Sequence, residues 1–170
     1  EQYIAPDFKD AKMMFFFVCE PFTLHTSKKK VSSVEDMKGL KIRSSGAVQS
    51  ATVKALGGSP VTMPITEVYT SMEKGVLDGV VTAFTAMVSF RIYDVSKYSI
   101  LAGLTATPFA VAMNQKKWNS LPPDIQAIME KINARYAFES AREYDKDRVK
   151  ALARGKSLGK EIYPLSAAEQ

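Results

Sequence analysis

Apolar and polar positions alternate in blocks along this chain, and most blocks end on glycine or proline. Lys12 to Val18 (KMMFFFV) is a short, nearly continuous apolar run of the length of one buried strand, and Glu20-Pro21-Phe22 breaks it. Ser33 with Asp36 three residues on marks a helix start, and Gly39 sits where a left-handed C-cap would end a helix of one to two turns. Leu40-Lys41-Ile42-Arg43 then predicts a strand. The helix after it carries Val48, Ala51, Ala55 and Leu56 on one face and stops at Gly57-Gly58. Thr66 is a candidate N-cap for a second helix holding Val68, Tyr69, Met72 and Val76, with Gly75 as its stop, and Leu77 to Thr82 returns as a strand. From Met37 to Thr82 this is the pattern of βαβ units in a parallel or mixed sheet, so the fold class is α/β.

The remainder continues the alternation. Phe84 to Lys97 is amphipathic at helical spacing through Met87, Val88, Ile92 and Val95, and Ser99 to Leu104 and Phe109 to Asn114 read as strands. Leu121-Pro122-Pro123-Asp124 places prolines at a helix start, where a missing N–H costs least. From Asp124 a helix can run to about Gly155, carrying Ile125, Ile128, Met129, Ile132, Tyr136 and Phe138. Some ~30 helical residues span ~45 Å, more than one small lobe needs. Glu161 to Pro164 reads as a returning edge strand and Ser166 as the start of a helix. Glu1 to Ala11 is polar and expected to be loosely held.

Composition narrows the function. In 170 residues, 46% are apolar and 24% charged, which suits one domain with a sizeable core. No run approaches the ~20 apolar residues of a spanning helix, and no basic segment followed by an apolar one opens the chain, so the leader of an exported protein would have been removed or lie outside this sequence. A net charge of +5 favours anionic ligands without calling for nucleic acid, since Lys28-Lys29-Lys30 has no interleaved aromatics and reads as a solvated turn. Cys19 and His25 are each the sole residue of their type; they lack the paired spacing of a metal site and read as packing or loop residues. Asp78-Gly79 reads as a turn or bulge. Gly57-Gly58-Ser59-Pro60 lacks the Gly-Lys-Ser/Thr ending of a phosphate-binding loop. With no Gly-x-Ser-x-Gly elbow, second histidine or paired acids at helical spacing, catalysis is the weakest reading, and no cofactor or metal is expected.

What stands out is Arg43, at the carboxyl end of a predicted strand. In open α/β sheets ligands bind at that edge, where loops form a crevice and helix N-termini point their amides into it. Thr82 and Phe84 follow the strand ending at Val81, and Glu20, Phe22 and Thr23 follow the strand Lys12 to Val18, so both sets can face the same opening as Arg43.

Four segments in register carry a family resemblance: Glu35-Asp36-Met37-Lys38-Gly39-Leu40-Lys41-Ile42-Arg43, Leu56 through Pro64 (LGGSPVTMP), Glu67-Val68-Tyr69, and Gly75-Val76-Leu77-Asp78-Gly79. In order and spacing they resemble the solute-binding proteins of TRAP transporters (the DctP type), and the resemblance extends from about Lys12 to the C-terminus. It departs where many members carry Gln-Glu-Asn-Pro after Asp-Gly. Here Val80-Val81-Thr82-Ala83 stands instead, with Thr82 in place of the family's substrate-contacting Asn.

The resemblance implies a periplasmic binding protein, not an enzyme, that closes two lobes around a small organic carboxylate and delivers it to TRAP membrane permease subunits. It also implies a truncated form: residues 20–107 with 148–170 as the second ligand-binding lobe, and 1–19 with 108–147 as the remnant of the first, including the long bracing helix. The apolar surface left on that remnant leads to the expectation of a homodimer. By the same resemblance, Arg43 forms a bidentate pair with the ligand carboxylate. Phe22 and Phe84 as pocket walls, with Thr82, point to an acid larger or less polar than a C4-dicarboxylate. An effector-binding regulatory domain of similar α/β build is the alternative, though no DNA-binding helix-turn-helix is legible.

Overall fold

A computed structural model describes Phe8 and residues 10–169; most of the Glu1 to Ala11 segment lies outside the described residues. The chain forms two compact units, Glu1–Cys19 with Thr107–Asp145 and Glu20–Ala106 with Lys146–Gln170.

In the smaller unit, β1 (Ala11–Val18) pairs antiparallel with β7 (Pro108–Asn114), with an irregularity between Met13 and Phe15. Phe17 stacks on Phe109 at 5.4 Å and on Tyr144 at 5.5 Å between ring centroids. A short helix, α4 (Gln115–Asn119), follows β7 and buries Trp118, with the Lys12 ammonium 4.7 Å from the ring centre. Helix α4 has no counterpart among the elements expected from sequence; its cap is Asn114, whose side chain accepts from the Lys117 N–H at 3.1 Å. The long helix α5 (Pro123–Ser157) starts at the expected prolines; its residues up to Asp145 belong to this unit and those from Lys146 to the larger one. Ile128 and Phe138, two of its apolar residues, are 53% and 78% exposed.

The larger unit is built on six strands in the order β4-β3-β5-β2-β6-β8. These are β2 (Thr23–Thr26), β3 (Lys41–Ser44), β4 (Ser59–Thr62), β5 (Gly79–Thr82), β6 (Tyr98–Ile100) and β8 (Glu161–Tyr163). Strands β4, β3 and β5 are mutually parallel, β6 and β8 are parallel, and β2 alone runs against both of its neighbours. Helix α1 (Ala47–Ala55) crosses from β3 to β4, and α2 (Val68–Glu73) from β4 to β5. Gly57 and Gly75 adopt the left-handed conformation that ends each helix in a tight turn, with φ of 84° and 71°. One face of the sheet is covered by an apolar cluster of Val68, Met72, Leu77, Val80, Phe84, Met87, Ile92, Tyr93 and Ala151.

Asp78-Gly79 is a structural joint. The Asp78 carboxylate accepts from the Lys41 N–H at 2.8 Å and its backbone carbonyl from the Ser27 N–H at 2.9 Å, locking the start of β5 between β3 and β2. Gly79 is required because a Cβ there would meet the His25 carbonyl oxygen at 2.4 Å.

Several expectations are corrected. The helix expected over Phe84 to Lys97 breaks into α3 (Phe84–Ser89) and a 3-10 turn at Ile92–Val95, joined through left-handed Arg91 at φ 56°. Phe84 and Met87 set the buried face, and helical continuation would bring Arg91 onto it. The break instead sends Arg91 outward to Asp94 and buries Ile92 and Tyr93. Thr66 caps nothing, because a 3-10 turn at Ile65–Glu67 starts directly after Pro64 and leads into α2 at Val68. Around Ser33 the roles are reversed: the Asp36 carboxylate accepts from the Ser32 and Ser33 N–H groups, ahead of a single 3-10 turn at Glu35–Met37. The segments read as Ser99 to Leu104 and Leu77 to Thr82 are shorter strands, and Ser166 opens a turn rather than a helix. Strands β2 and β4 were not anticipated; each has four residues, too few to show a period.

Candidate functional site

The strand register assembles the site. Arg43 lies beside Val61 on β4 and Val80 on β5, Val80 lies beside His25 on β2, and His25 beside Ser99 on β6. These residues therefore share one row and one face of the sheet. Two residues nearer the edge on that face, Thr82 at the end of β5 is directly opposite Thr23 at the start of β2. Arg43, Thr82 and Thr23 thus share the edge where β3, β4 and β5 end.

Arg43 is 6% exposed. Its Nε donates to the Met63 carbonyl at 2.9 Å, and it forms no ion pair with a carboxylate of the described residues. Burial pulls the guanidinium below its usual pKa, yet an arginine of this kind stays charged at any physiological pH. With Nε tethered to the backbone, the planar group is held in one orientation and its two terminal amines remain for a carboxylate fork.

Strand β2 differs from the expectation that Glu20, Phe22 and Thr23 follow the strand bearing Lys12 to Val18. That strand, β1, pairs with β7 in a two-stranded sheet of its own, and Thr23 reaches the edge as the first residue of β2. Phe22 is buried, and its backbone bridges Thr105, donating to that carbonyl at 2.8 Å. Glu20 has its carboxylate committed: Oε1 accepts from the Thr85 N–H at 2.8 Å in the first turn of α3, and Oε2 is 3.3 Å from Arg148 Nε on α5. A carboxylate at a helix N-terminus satisfies an otherwise free amide and complements the helix dipole. Phe84 is fully buried in the apolar cluster and packs edge-on against the His25 ring, with centroids 4.9 Å apart. Arg43, Thr82 and Thr23 are thus brought together, whereas Glu20 and Phe84 support the edge from behind.

Two contributors have no counterpart among the candidate site residues of the sequence. One is the Met63 carbonyl that aims Arg43. The other is His25, fully buried under the edge: Nδ1 is 2.8 Å from Ser99 Oγ, and Nε2 is 3.1 Å from Thr23 Oγ1 and 3.3 Å from the Thr82 carbonyl. Desolvation lowers its pKa to about 4, against a smaller opposing effect of the Thr82 carbonyl, so the ring is neutral at physiological pH. The signal was present as Thr23-Leu24-His25-Thr26, which puts Thr23 and His25 on one face at period two.

A mostly parallel sheet, with a buried arginine at the edge to which βα loops lead, defines an α/β lobe of the kind whose strand-end edge can take a ligand. The profile of the bacterial extracellular solute-binding proteins, family 7 (DctP), matches residues 14–170, and the chain belongs to this family. It is 30% identical over 154 residues to the C4-dicarboxylate-binding periplasmic protein DctP of Rhodobacter capsulatus, covering 88% of this chain and 45% of that protein. Among solved structures, a marine-metagenome TRAP solute-binding protein specific for aromatic acid ligands superposes with a TM-score of 0.91 at 29% identity, over 99% of this chain and 56% of the other. A Bordetella bronchiseptica TRAP periplasmic solute-binding protein with bound mandelate gives 0.90 at 25% identity, over 97% and 53%. The chain spans about half the length of these relatives.

Proposed function

We propose that the chain acts in capture of a small organic carboxylate by an extracytoplasmic, periplasmic solute-binding protein that hands its ligand to TRAP-type membrane permease subunits. The observation that carries the reading is Arg43: a buried guanidinium, oriented by the Met63 carbonyl, without a carboxylate partner among the described residues. A buried cation needs a counter-charge, and a ligand carboxylate supplies one with matching geometry. The similar proteins that bind aromatic acids and mandelate support the class of ligand. Glu20–Ala106 with Lys146–Gln170, close to the expected 20–107 plus 148–170, is read as the second ligand-binding lobe, and the smaller unit as part of the first. No catalytic step is assigned. The similar proteins give the expected homodimer no support.

Thermal-shift measurements with 3-hydroxybenzoate, mandelate, glucuronate and succinate, set against neutral sugars and nucleotides, test the reading. An organic acid should raise the melting temperature in proportion to its saturation. Stabilisation by a neutral sugar or nucleotide, with none by any acid, would refute carboxylate capture. Preference for succinate over the aromatic acids would refute the expectation of a larger, less polar ligand.

A further inference from the structure

The hydrogen bonds around His25 determine more than its own packing. Its ring lies between Ser99 on one side and Thr23 with the Thr82 carbonyl on the other, and the two possible neutral tautomers are not equivalent. A carbonyl oxygen can only accept. If the proton sat on Nδ1, that N–H would donate to Ser99 Oγ and Nε2 would accept from the Thr23 hydroxyl, but the Nε2 lone pair would also face the Thr82 carbonyl at 3.3 Å, acceptor against acceptor. With the proton on Nε2, that N–H donates to the Thr82 carbonyl and is shared with Thr23 Oγ1, while Nδ1 accepts from the Ser99 hydroxyl. Both ring nitrogens then meet partners of the opposite kind, and the carbonyl contact becomes attractive. The Thr23 oxygen becomes an acceptor toward the ring, so its own hydroxyl proton is turned away from the imidazole. Thr23 is 2% exposed, and none of the described residues accepts that proton. A buried hydroxyl donor without an acceptor is costly unless something else supplies one.

We propose that His25 is a positioning residue of the carboxylate site: it holds the Thr23 hydroxyl as an outward-facing donor for a second oxygen of the ligand, one that Arg43 does not bind. This rests on the carboxylate reading of the site, and it adds a ligand that carries a hydroxyl or carbonyl besides its carboxylate. Among the described residues the partners of the ring are Ser99 on β6, Thr23 on its own strand, the Thr82 carbonyl on β5 and Phe84 on α3, none of them charged, and only burial and the Thr82 carbonyl act on its protonation. Its tautomer, and with it the direction of the Thr23 donor, is therefore held constant across the physiological pH range.

Because His25 is the only histidine, a long-range proton–nitrogen correlation spectrum of the labelled chain reports this ring alone. The expected result is a single Nε2-protonated tautomer, unchanged between pH 5.5 and 8.5. An Nδ1-protonated ring, or one titrating near pH 6.5, overturns the proposal. With 3-hydroxybenzoate and benzoate as probes, His25→Phe and Thr23→Val should each lose about tenfold of the preference for the hydroxylated acid. His25→Gln, which can keep a donor N–H at the Nε2 position, should retain that preference. An unchanged preference in His25→Phe also overturns the role. The carboxylate reading fails separately, by Arg43→Lys leaving both affinities unaltered or by neither probe binding, and the tautomer then decides the role of His25 in orienting Thr23.

Discussion

Lowering the pH from 7.5 to 5.0 should destabilise the larger unit through His25 alone by about 2 kcal/mol. The folded-state pKa is about 4 against an ordinary 6.5, because the fully buried ring cannot take on a charge without losing hydration. For a histidine with a depressed pKa the unfolded chain binds the proton first. The associated stability is complete above pH 6.5 and is lost progressively as the pH falls from 6.5 towards 4. Across the whole window the 2.5-unit difference amounts to roughly 3.4 kcal/mol, of which about 2 kcal/mol is gone at pH 5.0. Asp36, whose carboxylate is held low first of all by the Ser32 N–H, contributes stability that is lost only as the pH falls below its ordinary 3.8, outside this window. Urea unfolding of the wild type and His25→Gln at both pH values isolates the effect as the difference between their pH dependences. Identical pH dependences would refute the argument, and direct titration of the single imidazole checks the same shift in the folded chain.

Two substitutions probe the framework of the site. Gly79→Ala forces a Cβ to within 2.4 Å of the His25 carbonyl and should cost about 1–3 kcal/mol by pushing β2 from β5; a melting temperature equal to wild type would show that the joint yields freely. Glu20→Ala removes the cap on the Thr85 N–H and the partner of Arg148, and should cost about 2 kcal/mol by chemical denaturation, while Glu20→Gln, which keeps an acceptor for Thr85, should cost less. Equal costs for the two variants would place the contribution of Glu20 in its charge alone.

The βαβ alternation was legible because glycine marks each joint: Gly39, Gly57 and Gly75 all take positive φ where the pattern changes. The prolines before α5 and the apolar run of β1 were equally local signals. What sequence could not display depends on partners far along the chain. Thr23-Leu24-His25-Thr26 is too polar to read as a central strand until Ser99, 74 residues away, accepts its place beside the histidine. Glu20 looks like a free acid at a pocket until Thr85, 65 residues on, presents a helix amide to it. Phe84 to Lys97 has helical spacing throughout, and only the need to keep Arg91 in water while burying Ile92 and Tyr93 breaks it. Arg43 was singled out by its place at a strand end, but the carbonyl that aims it comes from Met63, across a βα crossover.

The proposed function stands or falls on Arg43 as the anchor for a carboxylate. Isothermal calorimetry with the organic acid that most stabilises the wild-type chain, repeated on Arg43→Lys and Arg43→Ala, tests it most directly. A forked, buried charge pair is worth about 2–5 kcal/mol, so Arg43→Lys should weaken binding at least tenfold, because a point charge cannot reproduce the fork. Arg43→Ala should abolish measurable binding while the lobe stays folded. Unchanged affinity for the acid in a folded Arg43→Ala variant would place the anchor elsewhere and remove the basis for carboxylate capture at this edge.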